Sequence, residues 1–183
     1  HKGSSTPLWN YNNASYVTSV AISADGKYVT TGTTGNEYKI YLFDSSDGEP
    51  LWSHDTGNHV GSVAISADGE YIAAGTSDNG VWLFDNDGSD VDNKQPPWIY
   101  DAGDRVSSVA ISADGEYLAA GSYDDRVYFF DKDLDTPRWS YTTGGDVYSV
   151  AISADGEYIT AGSANDVVYF FDKSGFGFVE EEE

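Results

Sequence analysis

The sequence predicts an all-β chain, a β-propeller built from four four-stranded antiparallel blades. Three observations predict it. The string Val-Ala-Ile-Ser-Ala-Asp-Gly occurs four times, beginning at Val20, Val63, Val109 and Val150, at spacings of 43, 46 and 41 residues. Trp9, Trp52, Trp98 and Trp139 keep the same spacing. The apolar runs are short, are separated by Asp-Gly and Asn-Gly turns, and show no helical periodicity of useful length. A period of about 40–45 residues with four strands per unit is the pattern of a propeller blade.

The second copy shows each element in order. Residues 51–55 form a short strand carrying Trp52, residues 60–66 a second, 71–76 a third and 81–85 a fourth. Asp68-Gly69 joins the second strand to the third, and glycine there tolerates the positive φ of a tight hairpin. The same turn recurs at Asp25-Gly26, Asp114-Gly115 and Asp155-Gly156. Ser77-Asp78-Asn79-Gly80, again all turn formers, precedes the fourth strand. Val81-Trp82-Leu83-Phe84 and Val127-Tyr128-Phe129-Phe130 are apolar on both faces, so their sheets must be covered on both sides. The small residues Ala73-Ala74-Gly75 and Ala119-Ala120-Gly121 stand where neighbouring sheets crowd toward an axis. The propeller therefore spans residues 1–175, with repeats at about 7–49, 50–94, 95–135 and 136–173; residues 176–183 read as a short strand with an acidic tail.

Composition narrows the function. Thirty-one acidic residues against nine basic ones leave a net charge of −22. Such a chain repels phosphate backbones and anionic lipid surfaces, which argues against nucleic-acid partners. The same charge suits a salty or cation-rich medium, where ions screen self-repulsion, so an extracellular or cell-surface setting is expected. No cysteine is present, which removes disulfides, thiolate catalysis and thiolate metal sites. With no Met and His1 first, a processed product or an excised fragment is expected. No apolar run approaches the about 20 residues of a membrane-spanning helix, so no membrane insertion is expected.

Few residues offer chemistry. Two acidic loops follow fourth strands, one carrying Asp85, Asp87 and Asp90, the other Asp131, Asp133 and Asp135. Oxygen ligands at alternate positions with a nearby glycine suit Ca²⁺, although neither loop has the full twelve-residue hand ending in Glu. A solvated acidic turn is the other reading, since Asp and Gly are good turn residues. His54 and His59 flank one turn, but zinc needs three or four ligands and no third is evident. The Asp-Gly-Glu pairs recur in three copies, which argues for a turn device; a catalytic pair is expected once. Nucleophile-elbow, P-loop and dinucleotide motifs are absent. Asn13-Ala14-Ser15 is a glycosylation sequon, meaningful if the chain is exported.

The stretch from Val106-Ser107-Ser108-Val109 through Asp114-Gly115 to Ala119-Ala120-Gly121-Ser122 resembles the WD40 repeat, with Phe130-Asp131 where that family has Trp-Asp. The family's Gly-His pair is approached only at His59. The Leu-Trp strands, Pro50-Leu51-Trp52-Ser53 and its kin, look more like repeats of quinoprotein-type propellers, whose Trp docks on the adjacent blade. If the WD40 phase holds, each Leu-Trp strand is the outermost strand of the preceding blade. The resemblance then implies that residues 7–12, with Leu8, Trp9 and Tyr11, close the last blade at 146–172, in their own chain or in a neighbour. Two other geometries remain: a dimer forming one eight-bladed ring, and half of a longer chain.

The expected function is a non-enzymatic propeller acting as a protein-interaction or structural module, secreted or on the surface of an archaeal or bacterial cell. Its partner is another protein or itself. The alternatives are a subunit of a surface layer or filament assembled by strand donation, and a fragment of a larger quinoprotein-like enzyme.

Overall fold

The computed structural model describes residues 5–87 and 94–175, which form strands and turns and no helix. The first blade is β1 (Tyr16–Ile22), β2 (Tyr28–Thr34), β3 (Lys39–Asp44) and β4 (Pro50–Asp55), paired antiparallel in that order. The second is β5 (Val60–Ile65), β6 (Tyr71–Thr76), β7 (Gly80–Asp85) and β8 (Trp98–Asp101). The third is β9 (Val106–Ile111), β10 (Tyr117–Ser122), β11 (Arg126–Asp131) and β12 (Trp139–Thr142). The fourth has three strands among the described residues, β13 (Val147–Ile152), β14 (Tyr158–Ser163) and β15 (Val168–Asp172). The expected strand over residues 176–179 lies outside the described residues.

Each Ser-Ala-Asp-Gly turn is held by one device. The serine hydroxyl donates to the aspartate two residues on, at 2.5–2.7 Å in all four copies, and accepts the amide of the tyrosine that opens the next strand. The same aspartate accepts the amide two residues further along. The glycine sits at φ between 70° and 76°, where a Cβ is strained. The hydroxyl bond holds the carboxyls of Asp25, Asp114 and Asp155 below the usual range. These carboxylates serve the turn.

The core lies in the slots between blades. β1, β5, β9 and β13 stand next to one another in turn, and each bears a β-bulge at the same place. Hydrogen bonds stitch the slots: the amides of Val63, Val109 and Val150 donate at 3.1 Å to Ser19, Ser62 and Ser108 of the preceding blade. Ala24, Ala67 and Ala113 each donate to the carbonyl of the next turn, ending on Ala154. Approach is close enough that a Cβ on Gly32, Gly75 or Gly121 would stand 2.5–2.6 Å from a methyl of Val60, Val106 or Val147. Here the crowding expected of small residues is met, but between successive blades.

Among the described residues the inner strands pack in series, β1 on β5, β5 on β9 and β9 on β13, and the fourth blade does not pack on the first, so these four blades form an open arc. Val63 is 6% exposed, whereas Val20, its counterpart in the first blade, is 66% exposed. Phe129 is fully buried, whereas Phe170, its counterpart in the fourth, is 53% exposed. Of the two placements expected for the Trp9 strand, its own chain or a neighbour, the described residues show no pairing with the last blade of its own chain. The Trp9 ring is instead held on the first blade, by Phe43 and the Ser45 carbonyl.

Candidate interaction surfaces

The outer strand of each blade lays two rings on the next. Trp98 stacks on Phe130 at 5.4 Å, and Tyr100, two residues on, lies 5.2 Å from the same ring and 5.4 Å from Tyr128. Trp139 and Tyr141 repeat this on Phe171 and Tyr169. Trp52 does so on Phe84, with His54 in place of the tyrosine, 5.2 Å from Trp82 and 5.1 Å from Phe84. Burial between these rings pushes the His54 imidazole below its ordinary pKa, against a backbone contact at Lys94 that favours the cation. Among the described residues its Nδ1 has no hydrogen-bond partner. The signal for these second rings is in the sequence, at the position two after each Trp, where Tyr11 is the one that the closure reading names.

Trp9 and Tyr11 make the same contacts with no sheet of their own. Trp9 stacks on Phe43 at 5.7 Å and donates its indole N–H to the Ser45 carbonyl at 2.9 Å. Trp98 and Trp139 donate likewise to Lys132 and Lys173. Tyr11 lies 5.3 Å from Phe43 and 5.8 Å from Tyr41, while Leu8 is almost fully exposed. The expected slot for Trp9 is therefore filled, on the first blade.

The acidic loops are engaged by the chain's own cations. The Lys94 ammonium, itself buried, lies 3.2 Å from Asp85 and 2.6 Å from Asp87, while Asp90 falls outside the described residues. Asp131 lies 3.2 Å from Arg138 and accepts the Asp133 amide, and Asp133 lies 2.8 Å from Lys132. Asp135 is exposed. Among the described residues no three His, Asp or Glu side chains are grouped to hold a metal ion. His59 turns to the Ser77 hydroxyl at 3.1 Å while His54 faces Trp82 and Phe84, so the two histidines do not form a pair. Asn13, half-buried, accepts the Ser15 amide at 3.2 Å.

Two surfaces stand exposed among the described residues. One is the outer side of the first blade, with Val17, Val20 and Ile22; the other is the outer side of the fourth, with Tyr158, Val168 and Phe170. A hollow of about 350 Å³ on the first is lined by Leu8, Trp9, Ile22, Gly26, Val29 and Ser45.

A family model described as WD domain, G-beta repeat matches residues 5–44, 48–85, 95–131 and 136–172. The chain belongs to the WD40 repeat family. Each matched WD40 unit runs from a Trp segment to the aspartate that ends the third strand of the following sheet, Asp44, Asp85, Asp131 or Asp172. The unit of sequence is thus offset by one strand from the unit of structure, as the resemblance implied. WD40 propellers are modules of the protein-interaction kind. No curated protein matches the chain. No helix among the described residues is long and apolar enough to cross a membrane.

Proposed function

We propose that this WD40 chain is a non-enzymatic binding or structural module working outside the cell or at its surface, and that its contacts run through the two end faces of the arc. The observation that carries this reading is the contrast within one repeated surface. Val20 and Phe170 are each more than half exposed, whereas their counterparts Val63 and Phe129 are buried, in a protein whose net charge is −22. Contiguous apolar surface on so charged a molecule marks a contact site. Its shape asks for a polypeptide partner, because every covered copy of the surface is covered by a blade.

Support for the non-enzymatic part comes from where the polar groups go. The turn aspartates hold serines and amides, and Asp85, Asp87 and Asp131 hold Lys94 and Arg138. The charge supports the location, since screening by salt favours a compact fold of this composition.

A photo-crosslinking side chain at Val20 or at Phe170, in the native source, tests the contact. Capture of a polypeptide from these positions, and not from exposed Asp135, is the expected result. No polypeptide adduct from either face overturns the reading. Recovery of the protein from the cytosol, with none in the medium or surface fraction, overturns the location.

A further inference from the structure

We propose that the end face of the first blade takes one added β-strand, paired antiparallel with residues 8–11, from a polypeptide that carries Ile or Val followed two residues later by Leu or Phe. The inference rests on the reading of this end face as a contact surface and names the chemistry of what it contacts.

Part of the arrangement is already in place. Trp9 and Tyr11 lie on Phe43 and Tyr41 as Trp98 and Tyr100 lie on Phe130 and Tyr128. Both rings therefore stand where the outer strand of a preceding blade stands in the internal slots. What differs is the backbone. β4, β8 and β12, which carry Trp52, Trp98 and Trp139, each pair with the third strand of their own sheet, whereas residues 8–11 belong to no sheet among the described residues. An extended segment held by its side chains presents a row of amides and carbonyls, and such an edge templates a further strand.

Three copies give the pattern of that strand. Across the outer pairings Leu42 faces Trp52, Leu83 faces Trp98 and Phe129 faces Trp139. Two residues earlier, Ile40 faces His54, Val81 faces Tyr100 and Val127 faces Tyr141. All six of these aliphatic and phenyl side chains on the third strands are buried. The residue between them, Tyr41, Trp82 or Tyr128, points to the opposite side of its sheet. In the same register the added strand sets its Leu or Phe opposite Trp9 and its Ile or Val opposite Tyr11.

The surface beneath is complementary. Ile40 and Leu42 pack in one cluster with Val60, Val63 and Ile72 of the second blade. The counterparts on the first blade are Val17, Val20 and Val29, of which Val17 and Val20 are more than half exposed. A hollow of about 350 Å³ has Leu8 and Trp9 of the seated segment and Ile22 and Val29 of the sheet among its walls, and the inward side chains of the added strand enter there. These walls are uncharged in a chain of net charge −22, so the inward face of the partner is apolar, and salt that screens the charge elsewhere favours the union. The seated segment is anchored in advance by the Phe43 ring and the Ser45 carbonyl, so little of its chain entropy remains to be lost when a strand adds.

Fluorescence anisotropy of a labelled peptide with the full chain in molar salt tests this. The probe is Lys-Ile-Tyr-Leu-Phe-Asp, the sequence of residues 39–44, which carries the pattern. The parent is expected to bind it, with hydrogen exchange at the amides of residues 8–11 slowed on binding, as strand pairing requires. In the peptide, Ile40→Ser with Leu42→Ser abolishes binding, whereas Tyr41→Ser with Phe43→Ser preserves it, since those side chains point away from the blade. In the protein, Val20→Asp lowers the affinity by about tenfold or more with unaltered circular dichroism, because an exposed side chain is replaced by a carboxylate that the added strand would bury unpaired. Binding without slowed exchange at residues 8–11, or binding that follows Tyr41 and Phe43 of the peptide and not Ile40 and Leu42, overturns the proposal. Exclusion of the probe by self-association, seen in light scattering as a mass above the 19.8 kDa of one chain, overturns it in favour of a second copy as the occupant. A monomeric parent that does not bind the probe overturns it as well; if the Val20 crosslinker of that parent still captures a polypeptide, the interaction-module reading stands.

Discussion

Trp9 stands on Phe43 as Trp139 stands on Phe171, with ring centroids 5.7 Å and 5.2 Å apart, and each indole N–H donates to the carbonyl two residues beyond its phenylalanine. Trp139 belongs to a sheet of its own blade; among the described residues Trp9 belongs to no sheet and is held by the blade beneath it.

That difference predicts unequal costs of truncation. Trp98→Ala removes a buried ring from a four-stranded sheet and should cost about 3–5 kcal/mol. Trp9→Ala removes one stacking contact and one hydrogen bond and should cost about 1–2 kcal/mol. Urea unfolding measures both. Equal losses would mean that the Trp9 segment is already part of a sheet.

His54 makes the slot between the first two blades sensitive to acid. Its folded pKa is lowered, with burial the leading cause, so the unfolded chain binds the proton first as pH falls. The stability carried by the neutral ring is complete above the unfolded value of 6.5 and is lost as pH falls from there through the folded value. His54→Tyr installs the ring found in the other slots. Its melting temperature should therefore change less than that of the parent between about pH 7 and about pH 5. Parallel curves would show that the imidazole does not carry the dependence.

Ser112→Ala tests the turn device where it is most buried. The Ser112 hydroxyl donates to Asp114 at 2.6 Å and accepts the Tyr117 amide at 3.0 Å. Removing it strands a buried amide, for about 1–3 kcal/mol. Ser153→Ala, in the more open fourth blade, should cost less. Chemical denaturation of the two variants gives the comparison, and a Ser153→Ala loss equal to or larger than that of Ser112→Ala would place the bond's value elsewhere than in burial.

Screening should raise the melting temperature from low to molar salt, because the fold carries a net charge of −22. Calcium and magnesium at matched concentration should act alike, since Lys94 already occupies Asp85 and Asp87, and Arg138 occupies Asp131. A rise specific to Ca²⁺, abolished by Asp85→Asn with Asp87→Asn, would return the first loop to candidacy as a metal site.

The strands, their turns and the Trp register were all legible in the residues, because each is local. Asp-Gly selects a tight turn, alternation and bulk select a strand, and a repeated Trp needs a repeated slot. The two-faced burial of Val127-Tyr128-Phe129-Phe130 was legible for the same reason, and the serine beside each turn aspartate could have been read as its partner. Whether the blades meet was not legible. Closure depends on the rotation accumulated over successive slots, and no single residue encodes a sum of small angles set by packing between sheets. The identical repeats therefore predicted identical surroundings for Val20 and Val63, for Gly26 and Gly69, and for Phe129 and Phe170. Only the tertiary structure decided that the first member of each of the first two pairs and the second of the last stand at the ends of an arc, where the same side chains are less covered among the described residues.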